Sequence, residues 1–265
     1  MRRKHDVIIA CDFPSGQDVF RFLDRLPGEK PFVKIGMELY YAEGPAVVRA
    51  LKDRGLPVFL DLKLHDIPNT VRRAMASLRD LGVDMTNVHA AGGRKMMAAG
   101  LEGLTGPDGT RPLLIAVTQL TSTSQETMNE ELRIPGLVQD TVTAYAENAK
   151  AAGLDGVVSS PLEAGMIHAA CGEGFLTVTP GVRFAGSAQD DQTRVTTPAK
   201  ARALGSDFIV VGRPITQADD PLAAYRRCCR DFLGTERPSD PSDPSDASGS
   251  AGSSGSSGAS GSAVE

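Results

Sequence analysis

Eight times along this chain a short, nearly all-apolar run is followed by a helical pattern, and few architectures accommodate that rhythm. The runs are Val7 to Cys11, Phe32 to Ile35, Val58 to Leu62, Met85 to His89, Leu113 to Val117, Gly156 to Ser159, Leu176 to Thr179 and Phe208 to Val211. Runs apolar at almost every position suit strands covered on both faces, as in a parallel sheet flanked by helices. The intervening helical patterns cover Val19 to Leu26, Gly44 to Arg54, Val71 to Leu81, Lys95 to Gly103, Leu137 to Ala152, Leu162 to Cys171, Pro198 to Leu204 and Leu222 to Leu233. Several stop at a glycine (Gly55, Gly82, Gly153, Gly205) just before the next strand, where a helix C-terminus favours that residue. Strict alternation implies parallel strands with right-handed crossovers, and eight units predict closure into a single (β/α)8 barrel of the TIM type over residues 1–234. An open doubly wound sheet is the alternative. It is disfavoured because the first strand-to-helix turn, Asp12 to Gly16, lacks a glycine-rich dinucleotide fingerprint.

From Thr235 the composition turns to Ser, Gly, Pro, Asp and Ala with a Pro-Ser-Asp repeat and no apolar periodicity, so residues 235–265 are expected to form a disordered tail. That tail holds Arg237 against Glu236, Asp240, Asp243, Asp246 and Glu265. Of 28 bases and 33 acids in the chain, the body therefore keeps 27 and 28. A nearly neutral body lacks the basic field of a nucleic-acid binder, and any phosphate must be held by a few local residues. The only apolar stretch near the start, Val7 to Cys11, is too short for a signal peptide or a membrane span. Four cysteines (Cys11, Cys171, Cys228, Cys229) show neither metal-ligand nor redox spacing, so reduced thiols and a cytoplasmic location are expected.

In such barrels the chemistry sits at the C-terminal ends of the strands. Asp12 closes the first strand, Lys34 lies in the second, and the third runs into Asp61-Leu62-Lys63-Leu64-His65-Asp66-Ile67-Pro68-Asn69-Thr70, the densest polar constellation in the chain. On an extended segment Asp61 and Lys63 face the same side. With Lys34 inward on the neighbouring strand, an acid would stand between two ammonium groups, each needing an opposite charge because buried unpaired ions are costly. Rim salt bridges are the structural alternative. Three charged positions on adjacent strands favour a functional pocket.

Ala10-Cys11-Asp12, Lys34-Ile35-Gly36, the Asp61 to Thr70 segment, Thr118-Gln119-Leu120-Thr121-Ser122 and Val210-Val211-Gly212-Arg213-Pro214-Ile215 resemble, in order and spacing, the orotidine 5'-monophosphate decarboxylases of bacteria, over roughly Asp6 to Leu233. The resemblance implies a cofactor-free, metal-free enzyme acting on a nucleotide. It further implies a homodimer whose catalytic array is Lys34, Asp61, Lys63 and a partner-supplied Asp66. Lys63 would protonate pyrimidine C6, Asp61 would stand beside the departing carboxylate, Lys34 would hold Asp61 and a ribose hydroxyl, and Asp12 would bind the ribose. Thr70 would cross the dimer interface, and Thr121 would meet the pyrimidine edge.

Phosphate is expected at the loops after strands seven and eight. The resemblance assigns it to Arg183, Gln192, Gly212 and Arg213; the Arg183 to Arg194 segment, long, polar and containing Gly186 and Ser187, is expected to form a mobile phosphate-gripping loop. His65 and His89 carry no motif and read as structural histidines. Asp-x-Lys-x-x-Asp alone is shared with related barrels, such as 3-keto-L-gulonate 6-phosphate decarboxylases and hexulose 6-phosphate synthases. Those use a magnesium-stabilised enediolate and carry an acid where Lys34 stands. A non-catalytic barrel that only binds a nucleotide or a protein is the alternative of another class.

Overall fold

A computed structural model describes residues 5–184 and 196–234. Gln192, most of the Arg183 to Arg194 loop and residues 235–265 lie outside the described residues. In chain order the elements are β1 (Asp6–Ala10), α1 (Gly16–Leu23), β2 (Phe32–Gly36), α2 (Met37–Glu43), α3 (Pro45–Asp53), β3 (Val58–Leu64), α4 (Pro68–Arg79), β4 (Met85–His89), α5 (Gly93–Leu104), β5 (Leu113–Val117), α6 (Val138–Ala151), β6 (Gly156–Val158), α7 (Ala164–Cys171), β7 (Leu176–Thr179), α8 (Pro198–Ala203), β8 (Phe208–Val211), α9 (Arg213–Thr216) and α10 (Pro221–Leu233). The strands pair in parallel, each with its sequence neighbours, and β1 pairs with β8 to close the barrel.

The eight expected strands form within two residues of their expected limits. Two helices were not anticipated. α2 follows β2 without a break and is separated from α3 only by Gly44, whose φ of 66° stops one helix, and by Pro45, which opens the next. α9 is a single turn built on Gly212, whose carbonyl accepts the N–H groups of Ile215 and Thr216. Elsewhere caps set the helix starts: the side chains of Ser15, Thr197 and Asp220 accept backbone N–H groups of α1, α8 and α10. Among the described residues no helix is long and apolar enough to cross a membrane.

Strand parity divides the molecule into two cores. Val7, Ile9, Val33 and Leu60 face outward into the layer between sheet and helices. Ile8, Phe32, Phe59, Met85 and Phe208 face inward and pack on one another inside the barrel, with the rings of Phe32 and Phe208 edge to face at 6.3 Å. This apolar layer is a floor. Two residues further along each strand, the same inward parity delivers the side chains described next.

Candidate active site

Above Phe32 and Phe59 on the inward face of β2 and β3 stand Lys34 and Asp61, and above Met85 on β4 stands Asn87. Lys34 Nζ lies 2.9 Å from Asp12 Oδ1 and 3.5 Å from Asp61 Oδ2, while Lys63 Nζ lies 2.7 Å from Asp61 Oδ1. The expected acid between two lysines is therefore present, with Asp12 joined to it at the end of β1. Gly36 leaves room for this cluster: a Cβ there would stand 3.3 Å from both Asp12 Oδ1 and Lys34 Nζ.

Asp61 and Lys63 meet by a route that strand alternation did not predict. Pairing between β3 and β4 is regular to Leu60 opposite Thr86 and resumes, shifted, at Leu64 opposite Val88. Between them Lys63 takes a left-handed backbone, φ 51°. A lysine rarely adopts that conformation, which carries a cost of about 1–2 kcal/mol. Its N–H is donated to Asn87 Oδ1 at 2.8 Å, and Asn87 Nδ2 donates to Asp61 Oδ1 at 2.7 Å. Asn87 was missed from the sequence. The available signal was one amide in the strand, two residues beyond the inward-facing Met85 and so at inward parity.

Charge pairing outweighs burial in this cluster. Burial alone would raise the Asp61 carboxyl, but the ammonium groups of Lys34 and Lys63, with hydrogen bonds from Lys63 and Asn87, hold it below the ordinary carboxylate value. Burial would likewise lower Lys34, yet the charges of Asp61 and Asp12 raise it above the ordinary lysine value. Both ions are thus favoured as ions. His65 and His89 come together at the rim with ring centroids 5.7 Å apart, and burial, His65 and Lys63 lower the His89 pKa against the opposing pull of Asp61.

A cavity of about 230 Å³ opens on this cluster, lined among others by Lys34, Asp61, Lys63, Gln119 and Thr121. Arg183 follows β7 and Gly212 and Arg213 follow β8, at the same end of the barrel but outside the lining of the cavity. The feet of the Arg183 loop are tied by hydrogen bonds from Arg183 N to Thr196 O and from Thr196 N to Gly181 O. Asp66, on the segment leading into α4, and Thr70, in the first turn of α4, are exposed, and the Asp66 carboxylate accepts the N–H of Ile67 at 2.6 Å. A larger hollow of about 920 Å³ lies at the opposite end, where β5 to β8 begin. Its acids are engaged in structural pairs, His168 with Asp207 and Arg111 with Asp155, and barrel enzymes do their chemistry at the other face, so the smaller cavity is the candidate site.

Known proteins share the sequence and the barrel of this chain. The sequence profile of the orotidine 5'-phosphate decarboxylase / HUMPS family matches residues 5–228. The orotidine 5'-phosphate decarboxylase of Bacillus caldolyticus is 59% identical over 235 residues, covering 88% of this chain and 96% of that protein. Among solved structures, an orotidine 5'-phosphate decarboxylase from Lactobacillus acidophilus superposes with a TM-score of 0.78 at 41% identity, covering 86% of this chain and 99% of that one. A conserved protein from Geobacillus kaustophilus, described as uncharacterized, superposes with a TM-score of 0.76 at 52% identity, covering 85% and 99%. The chain belongs to the orotidine 5'-phosphate decarboxylase / HUMPS family.

Proposed function

We propose that this chain decarboxylates orotidine 5'-monophosphate to uridine 5'-monophosphate and carbon dioxide, without a cofactor, as a cytoplasmic homodimer. The observation that carries the reading is the Lys34, Asp61, Lys63 array facing one cavity. Breaking the bond between C6 and its carboxylate leaves an electron pair on a ring carbon with little delocalisation. The Lys63 ammonium stabilises that charge as it develops and delivers its proton to C6, forming the new C–H bond as carbon dioxide departs. The amine then regains a proton from solvent. A fixed cation favours the developing carbanion over the substrate, which is the differential binding that catalysis needs.

Asp61 keeps Lys63 aimed and stands where the departing carboxylate leaves. Lys34 holds Asp61 and reaches a ribose hydroxyl, and Asp12 takes the ribose. Thr121, on the cavity wall, meets the pyrimidine edge. Arg183, Gln192, Gly212 and Arg213 grip the phosphate, in keeping with the arrangement of many barrels after strands seven and eight. Asp66 and Thr70 serve the site of a second copy. Supporting this is their exposure beside Ile67, a large apolar residue 67% exposed at the same rim.

The magnesium-dependent relatives are a poorer match, because the ammonium of Lys34 sits 3.5 Å from Asp61 and would repel a divalent cation there. The deciding experiment follows the loss of orotidine absorbance with purified protein, with and without a chelator. Turnover unaffected by the chelator is expected. Absence of turnover, or dependence on a divalent metal, would overturn the reading.

A further inference from the structure

The geometry points to Asn87 as a positioning residue for the decarboxylation, acting through Asp61 and Lys63 rather than on the substrate. The inference rests on the decarboxylase reading above. Asn87 is fully buried at the middle of β4 and makes two contacts of opposite polarity: its carbonyl accepts from the Lys63 backbone at 2.8 Å, and its amide donates to the Asp61 carboxylate at 2.7 Å. No other choice of ends suits both neighbours, since a backbone N–H only donates and a carboxylate only accepts. One side chain therefore pins the left-handed turn that carries the Lys63 ammonium and the carboxylate that aims it.

Both contacts fall where β3 lacks support from its own ladder. Pairing with β4 is interrupted between Leu60 and Leu64, the stretch that contains Asp61 and Lys63. Asn87 supplies a side-chain hydrogen bond to a backbone N–H there. Without it, Lys63 has an uncompensated donor and a costly φ, and any relaxation of that turn would shift the ammonium from its place 2.7 Å from Asp61, even though it stayed on the same face. Misplacing a proton donor by about 1 Å can cost on the order of 100-fold in rate.

Three measurements on the full chain test this. Asn87→Leu keeps the branching and the number of heavy atoms of the side chain, at a somewhat larger volume, and removes both hydrogen bonds. It is expected to lower kcat about 10- to 100-fold while the number of sites that bind uridine 5'-monophosphate, and their affinity, stay within about 3-fold. Asn87→Asp adds the more discriminating readout. When neutral, the introduced carboxyl still offers a carbonyl to Lys63 N–H and an O–H to Asp61; when ionised, it keeps the acceptor and opposes Asp61.

The groups around that position are Asp61 and Lys63 on β3, Lys34 on β2, Asp12 beyond β1, His89 on β4 and His65 at the rim. Lowering pH therefore restores the missing donor, and kcat of Asn87→Asp relative to wild type is expected to rise as pH falls. Using the ratio cancels ionisation of the substrate phosphate. Normal kcat in Asn87→Leu overturns the inference, as does activity lost only in proportion to nucleotide-binding sites, or failure of both variants to fold, since each would make Asn87 merely structural. A pH-independent ratio for Asn87→Asp overturns it too. Wild-type protein run alongside keeps the two conclusions separate: if it does not decarboxylate the nucleotide, the functional reading has failed, not this one.

Discussion

Lys63 is held by its surroundings in a conformation that its own residue type disfavours, and its ammonium is directed at a carboxylate rather than at water. Such local strain is maintained only where neighbouring groups over-determine it. Replacing Lys63 with alanine is expected to lower turnover by about 10⁴-fold or more while leaving the protein folded, because it removes the proton donor and the cation together; circular dichroism and the absorbance assay on one preparation check both halves. The cysteines allow an independent test of how closed the structure is. Burial pushes the Cys11 thiol up to about 12, against the lowering influence of Lys34, and burial also pushes Cys229 up to about 12. All four cysteines are buried. At pH 8 these thiols are protonated and covered, so a thiol reagent is expected to label none of them in the native protein and all four after denaturation. The presence of Asp12, Lys34, Asp61 and Lys63 at one site was legible in the sequence, because charged residues at strand ends are conspicuous. The left-handed turn at Lys63 was not, since alternation along an extended strand gives the same facing for a different backbone.

Whole elements were easier to read than their joints. The strands were legible because both of their faces are buried, which writes an unbroken apolar run. α2 escaped because it begins immediately after β2 and is only seven residues long. The polar contribution of β4 escaped because Asn87 belongs to no motif and only strand parity tells which way it faces. Helix packing carries its own signature. α4 and α5 pack on each other more extensively than any other helix pair among the described residues, and they do so at Gly103, where an added Cβ would stand 1.9 Å from the Arg72 carbonyl oxygen. That contact is backbone and cannot swing aside. Gly103→Ala is expected to destabilise the protein by roughly 3 kcal/mol, toward the upper end of overpacking costs, as read by denaturant midpoint. Because Asp66 leads into α4 and Thr70 lies in its first turn, the same variant should also weaken the rim of the site.

At the scale of the molecule, the proposed homodimer makes a claim that neither chain can satisfy alone. A chain carrying Lys63→Ala and another carrying Asp66→Asn each lack a different half of a shared site. Mixed under conditions that permit subunit exchange, they should form heterodimers with one intact site in two, and activity should return to a sizeable fraction of wild type. Heterodimers confirmed by two tags yet as inactive as their parents would place Asp66 in its own chain's site. The apolar floor of the barrel also decides where the reaction finds its proton. Each proposed turnover spends one proton from Lys63, and a replacement cannot pass through the close-packed side chains of Phe32, Phe59, Met85 and Phe208, which offer no polar relay. It must arrive at the open end, through the mouth by which uridylate departs. Rearming the lysine and releasing the product thus share the same open end, so traffic of protons and of nucleotide runs through one mouth.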